Sequence, residues 1–187
     1  MRQATCGAFT STGRNLKDTS NANTIPVNEK CPVIRLATDA DTDGILTCLR
    51  SAFRPYESSY TSAAYEDTVL TRESLHARLK TMSIFVAVTE ADIIVGTIAC
   101  QVLAEGEGHL RGMAVDPEWH GRGISQQLLE RAESELKERK CHRLTLDTTE
   151  YLKRAIHFYQ RNGYRASGKI TDFFGMVIHE YVKRLPS

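Results

Sequence analysis

Apolar residues recur along this chain with two different periods. Ile45, Leu46, Leu49 and Phe53 fall three and four residues apart, which places them on one face of a helix, and Asp39 or Asp41 stands where its N-cap belongs. Pro55 ends that helix. Leu75 and Leu79 predict a second helix around 71–81. Ile124, Leu128, Leu129, Ala132 and Leu136 mark a third, with Lys137, Arg139 and Lys140 at its negative C-terminal pole. "LKRAIHFYQRN" predicts a fourth, stopped by Gly163. Between these lie β-rich runs: "VIRLA", "SIFVAVTE", "IIVGTIACQVL", "GHLRGMAV", "RLTLDT", "YRASGKI" and "FGMVIHEYVKRL". The short break between the second and third runs predicts a hairpin. "PYESSYTSAAYEDTVL" has no clean period and reads as loop with short helix. The resulting order, β α α β β β α β α β β, is a mixed α/β arrangement around one sheet.

Residues 1–31 lack this periodicity; "FTSTGRNLKDTSNANTIPVNEK" is rich in Ser, Thr and Asn. Such a segment buries too little apolar surface to offset its ordering entropy, so it reads as a flexible tail before a domain at 32–187. Few acids together with Arg2, Arg14 and Lys17 leave two other readings open, an organellar transit peptide and a start-site artefact.

Composition narrows the function classes. With 41% hydrophobic and 25% charged residues among 187, the chain suits one soluble domain. A net charge of +1 lacks the basic excess of a dedicated nucleic-acid binder. No window approaches the 18 apolar residues of a membrane span. Five cysteines, at 6, 31, 48, 100 and 141, form no C-x-x-C pair. That argues against a zinc site and fits free thiols in a reducing cytoplasm, so a cytoplasmic location and no metal are expected.

Residues 119–129, "WHGRGISQQLL", open the strongest helix with bare backbone. The first amides of a helix have no intrahelical partner and carry partial positive charge, so glycines there let an anion settle onto them. No Lys-Ser or Lys-Thr follows as in a P-loop, and no third Gly as in a dinucleotide fingerprint. A bland strand-to-helix turn explains G-x-G alone equally well.

The surroundings of the turn are more specific. A strand, "LRGMAV", precedes it by an Asp-Pro turn, and the later helix carries Ala155 and Tyr159 with Gly163-Tyr164 beyond. From Leu110 to Tyr164 the chain resembles the GCN5-related N-acetyltransferase (GNAT) family, and with flanking strands the resemblance covers about 33–185. It implies an α+β fold: a mixed, mostly antiparallel, twisted sheet of about six or seven strands flanked by about four helices. It also implies acetyl-CoA as cosubstrate. The pyrophosphate seat maps to Gly121, Arg122, Gly123, Ile124, Ser125 and Gln126. The pantetheine arm maps to Met113, Ala114 and Val115, with Leu152, Ala155 and Phe158 on the helix side, and a Met113 amide can polarise the acetyl carbonyl. Three positions depart from the family pattern. His120 replaces Arg or Gln, with Arg122 then expected to supply the charge; Ser125 replaces Gly or Ala; Leu152 replaces Asn.

The resemblance assigns Tyr159 as general acid for the leaving thiolate. Its base counterpart is His109, four residues before Met113 on a strand where Glu107, His109 and Arg111 share one face. Glu107 is the alternative base, and a water chain without any base stays open. Acceptor contacts are expected from Phe53, Tyr56 and Tyr60, with Glu57 or Glu66 attracting a cation and Phe173 and Phe174 closing the other side. The acceptor is a primary amine on a small molecule, peptide or protein, and family analogy allows a homodimer. The competing reading is a non-catalytic acyl-CoA-binding or regulatory module on the same fold, or a transferase for longer acyl groups.

Overall fold

The computed structural model describes residues 31–104 and 106–185. The expected tail and the transit-peptide reading therefore lie, apart from Cys31, outside the described residues. The strands are β1 Val33–Leu36, β2 Ser83–Val88, β3 Ile94–Ala104, β4 Glu107–Val115, β5 Arg143–Thr148, β6 Arg165–Phe173 and β7 Met176–Arg184. They form one sheet in the order β1-β2-β3-β4-β5-β7-β6. Every neighbouring pair is antiparallel except β4 and β5, which are parallel.

Helices α1 Thr42–Phe53, α2 Ser62–Val69, α3 Arg72–Thr81, α4 Ile124–Glu138 and α5 Lys153–Arg161 complete the chain. The period-2 pattern of β2 divides the core between the two faces of the sheet. Phe85 and Ala87 pack with Leu128, Leu129 and Leu136 of α4. Ile84, Val86 and Val88 pack with Ile45, Leu49 and Leu75 of α1 and α3.

Two details differ from the sequence expectation. The short helix expected within 55–70 is α2, which makes five helices where about four were expected. It buries only Ala64, so periodicity cannot reveal it. Its Thr61 cap accepts from the Ala64 amide and donates to the Phe174 carbonyl at 2.7 Å, so its placement depends on a distant turn. That turn has Phe174 at φ 51° and Gly175 at φ 81°, a tight two-residue reversal. It carries β6 on to Phe173 and delays β7 to Met176, two residues after the expected start.

The feature that positions the site is a parting of the sheet. β4 and β5 pair only from Glu107↔Arg143 to Leu110↔Leu146. Beyond Leu110, β4 continues against β3 alone, with its register stepping from Arg111↔Ala99 to Ala114↔Thr97. The extra residue is a bulge, and Gly112 there takes φ 62°, a left-handed conformation that favours glycine. A bulge bends its strand and increases its twist, which turns β4 away from β5.

At the entry to α1, Arg35 donates two hydrogen bonds to the buried Asp41 carboxylate at 2.7 and 2.8 Å, and the Thr38 amide adds a third at 2.7 Å. The Arg35 contact chiefly holds the Asp41 carboxyl down at about 2. A depressed carboxyl stabilises the fold fully above its ordinary range near ~4, and that contribution disappears as pH falls through about 2. Because Arg35 is 39% exposed, the pair is screened in part, and Asp41→Asn is expected to lower stability by about 1–2 kcal/mol at pH 7. In denaturant titrations the difference from the parent should shrink steadily from pH 4 to pH 2.

Candidate active site

The parted strands open a chamber of about 570 Å³. One wall is Met113, Ala114 and Val115 of β4; the opposite wall is Leu152 with Ala155, Phe158 and Tyr159 of α5. At one end lie Gly121, Gly123 and the first residues of α4, Ile124, Ser125 and Gln126. Gly121 and Gly123 take φ 79° and 77°, and a Cβ at either would meet open space. Glycine is therefore required for backbone conformation, not for room. Gly123 caps α4 with no side-chain bond, and its carbonyl accepts from the Gln126 and Gln127 amides. The first-turn amides of Ile124 and Ser125 have no intrahelical acceptor and are available to an anion.

The charges around this seat are not where the sequence placed them. The Arg122 guanidinium lies 4.4 Å over the Trp119 ring, and Arg122 does not line the chamber. His120 donates from Nε2 to the Val115 carbonyl at 3.0 Å, so its ring ties the turn to the end of β4. The cations lining the chamber are Arg154 and Arg161. Both are exposed, and their seven-residue spacing puts them on one face of α5 with Phe158. That spacing was a usable sequence signal.

A second chamber of about 370 Å³ adjoins the first. Phe53, Met113, Leu152, Ala155 and Tyr159 line both, so Tyr159 and Met113 form a shared wall. The Tyr159 hydroxyl donates to Met113 Sδ at 3.2 Å. Tyr159 is 8% exposed, and burial pushes its phenol well above the ordinary range. It therefore keeps its proton at neutral pH while already directed at a sulfur, and a thiolate accepts a proton far better than a thioether does.

His109 lines the second chamber at the bottom of the parting. Its Nδ1 lies 2.9 Å from Thr145 Oγ1, whose own hydroxyl donates to the Gly108 carbonyl at 3.2 Å. The Thr145 oxygen must then accept, which places the ring proton on Nδ1 and a lone pair on Nε2. Burial holds His109 below the ordinary imidazole range, against the opposing pull of Asp147. Nε2 is 3.9 Å from Asp147 Oδ2, which would stabilise an imidazolium once formed.

Glu107 does not share this position. Arg143 donates to its carboxylate at 2.6 Å while also bridging to Glu180 at 3.0 Å, and Glu107 lines neither chamber. Its alternation with His109 fixes a face but not a depth along the parting. Of the expected acceptor residues, Tyr60 and Phe173 line the second chamber, while Tyr56 lines the first. Glu57 and Glu66 line neither, and Phe174 sits 55% exposed in its turn. Sequence reading missed Asp67, Arg78, Asp147 and Thr148, which line the second chamber from three separate elements, α2, α3 and β5. No local pattern marks them. Among the described residues no helix is long and apolar enough to cross a membrane, and no His, Cys, Asp and Glu cluster could hold a metal ion.

Comparison with known proteins finds the same architecture. The model of the acetyltransferase (GNAT) family matches residues 45–164. An amino-acid acetyltransferase of Pseudomonas putida KT2440 is 28% identical over 146 residues, which is 78% of this chain and 30% of that protein. The chain thus spans about a third of the length of the curated relatives it matches. The crystal structure of PaiA N-acetyltransferase from Thermoplasma acidophilum, in complex with coenzyme A, superposes with a TM-score of 0.68 at 19% identity. The match covers 82% of this chain and 98% of that one. A GNAT-family acetyltransferase from Staphylococcus aureus Mu50 gives 0.68 at 20% identity, covering 82% and 99%. At these identities the two structures report on the fold.

Replacing Arg154 and Arg161 together by Ala is expected to weaken acetyl-CoA binding about tenfold by calorimetry. The loss should shrink as salt rises from 50 to 500 mM, because the contacts are exposed. Equal affinity for parent and double variant at low salt would remove these arginines from the seat.

Proposed function

We propose a function from the premise that the chain belongs to the acetyltransferase (GNAT) family. It transfers an acetyl group from acetyl-CoA to a primary amine by direct attack in a ternary complex. The observation that carries this reading is the shared wall, where the Tyr159 hydroxyl reaches a sulfur at the junction of two chambers. Two substrates entering from opposite sides meet only there.

The roles follow from the proton states. The first chamber takes acetyl-CoA, with its phosphates on the amides that open α4 and its arm along Met113, Ala114 and Val115. The thioester supplies an activated acetyl group. The amine enters the second chamber and loses a proton to His109 Nε2. The neutral nitrogen forms a bond to the acetyl carbon, the carbon–sulfur bond breaks, and Tyr159 gives its proton to the sulfur. The second proton of the amine restores the phenol, while His109 returns its own to solvent. Backbone of β4 beyond the bulge, unpaired on the β5 side, supplies donors for the carbonyl oxygen. The named Pseudomonas putida relatives put amino acids among the first acceptors to screen.

Acetyl-CoA at about 100 times its Kd should stabilise the protein by roughly 2.7 kcal/mol, a rise in Tm on the order of 5–10 °C, and ATP should not reproduce it. An absent shift at millimolar acetyl-CoA overturns the reading. Tyr159→Phe should lower kcat about 100-fold while leaving the acetyl-CoA Kd within about twofold. Unchanged kcat across pH would remove its acid role. Because His109 accepts a proton only when neutral, kcat/KM should fall on the acid side. Burial places that limb below the ordinary imidazole value of about 6.5, and His109→Gln should abolish it.

A further inference from the structure

We propose that Arg78 and Arg111 form a carboxylate-binding subsite in the second chamber, and that the acceptor is a small amino-carboxylate such as a free amino acid. This deepens the acetyltransferase reading and rests on it. Arg78 of α3 and Arg111 of β4 both donate to one oxygen of Asp67, each at 2.9 Å. Arg78 also donates to the Asp67 backbone carbonyl at 2.9 Å. Two guanidiniums, each with five N–H donors, thus share one carboxylate oxygen and keep donors to spare among the described residues. Arg78 is only 13% exposed, and both burial and the neighbouring Arg111 charge oppose its charged form. A second carboxylate relieves that repulsion and suits the planar fork of arginine.

The location favours a substrate over a brace. Arg78 Nη1 lies 4.0 Å from the position a Cβ would take on Gly112, so the guanidinium lies against the bulge beside Met113. The other side of the chamber has the opposite character. Asp147 lies beside His109 Nε2, and Asp172 comes from β6. Thr148, 5% exposed, lines the chamber with a hydroxyl that has no hydrogen-bond partner among the described residues. A buried hydroxyl without a partner is costly and is satisfied when a polar ligand arrives. Cations on the α3 and β4 side and carboxylates on the β5 and β6 side complement a dipolar molecule. Its carboxylate would sit on the arginines and its ammonium beside Asp147 and His109. A plain amine or polyamine would meet two arginines.

The test uses the full chain saturated with acetyl-CoA and follows CoA release with the twenty amino acids, each paired with its own carboxamide. The amide removes the carboxylate charge but makes the amine a weaker base, so more of it is free to attack; basicity alone favours the amide. The expected result is at least one amino acid preferred over its amide by about 10- to 100-fold in kcat/KM. Arg111→Gln should bring that ratio close to one, whatever it does to turnover, and Arg111→Lys should restore part of it. Amides used as well as acids by the parent would overturn the subsite and leave the acetyltransferase reading standing, as would a ratio unchanged in Arg111→Gln. No CoA release with any amino acid or carboxamide, despite an acetyl-CoA-induced rise in Tm, would overturn this inference alone; silence with peptides and polyamines as well would overturn the acetyltransferase reading. If Arg111→Gln does not fold, the acid-to-amide ratio of the parent decides.

Discussion

Everything at the site depends on where β4 and β5 stop pairing. A parallel pair in mid-sheet normally continues until its backbone groups are satisfied along its whole length. This pair ends at Leu110↔Leu146, and the bulge at Gly112 prevents its resumption. The consequence is a stretch of β4 backbone with a strand on one side only, in the centre of the molecule. Helices close over it from both faces of the sheet. Open backbone at that depth is tolerated where a ligand supplies the missing partners, and the two chambers meet beside it at Met113.

Burial then sets the chemistry of the side chains that reach the opening. The same desolvation acts in opposite directions on two groups of opposite charge type. It keeps the Tyr159 phenol protonated and the His109 imidazole neutral. One group therefore holds a proton and the other has room for one. Pairs of titratable groups driven apart by their surroundings are the usual arrangement for an acid and a base on one fold. Hydrogen bonds refine the outcome. Thr145 fixes which His109 nitrogen carries the proton, and Asp147 lies beside the other.

The walls of the second chamber are tied to the sheet by charge. Asp67 joins α2 to α3 through Arg78 and to β4 through Arg111. α2 has little apolar surface of its own, with Ala64 its one buried residue, so this junction and the Thr61 bond to Phe174 give it a defined place. The same groups that hold the wall present unused donors to the chamber, which lets one junction act in both packing and recognition.

Features that depend on near neighbours in the chain are legible in its residues alone. Apolar period placed α1, α3, α4, α5 and the buried strands β2, β3, β4, β5 and β7, because burial of one face repeats within a few residues. β6, exposed along nearly its whole length, was marked by its turn-bounded run instead. Gly121 and Gly123 announced the left-handed turn that opens α4, because such backbone before a helix leaves its mark on composition. Ala155, Phe158 and Tyr159 line the first chamber because they share one stripe of α5. Other features were decided only by tertiary structure. Arg122 covers Trp119 while Arg154 and Arg161 line the chamber, and both arrangements are compatible with a basic sequence. Glu107 and His109 share a face, yet only His109 lines a chamber, because the parting begins after Leu110. Asp67, Arg78 and Arg111 meet across 44 residues of chain. A local pattern records which side of an element is buried. Which exposed charge then faces which opening depends on strand register, bulge and twist, and those are settled by pairing between distant segments.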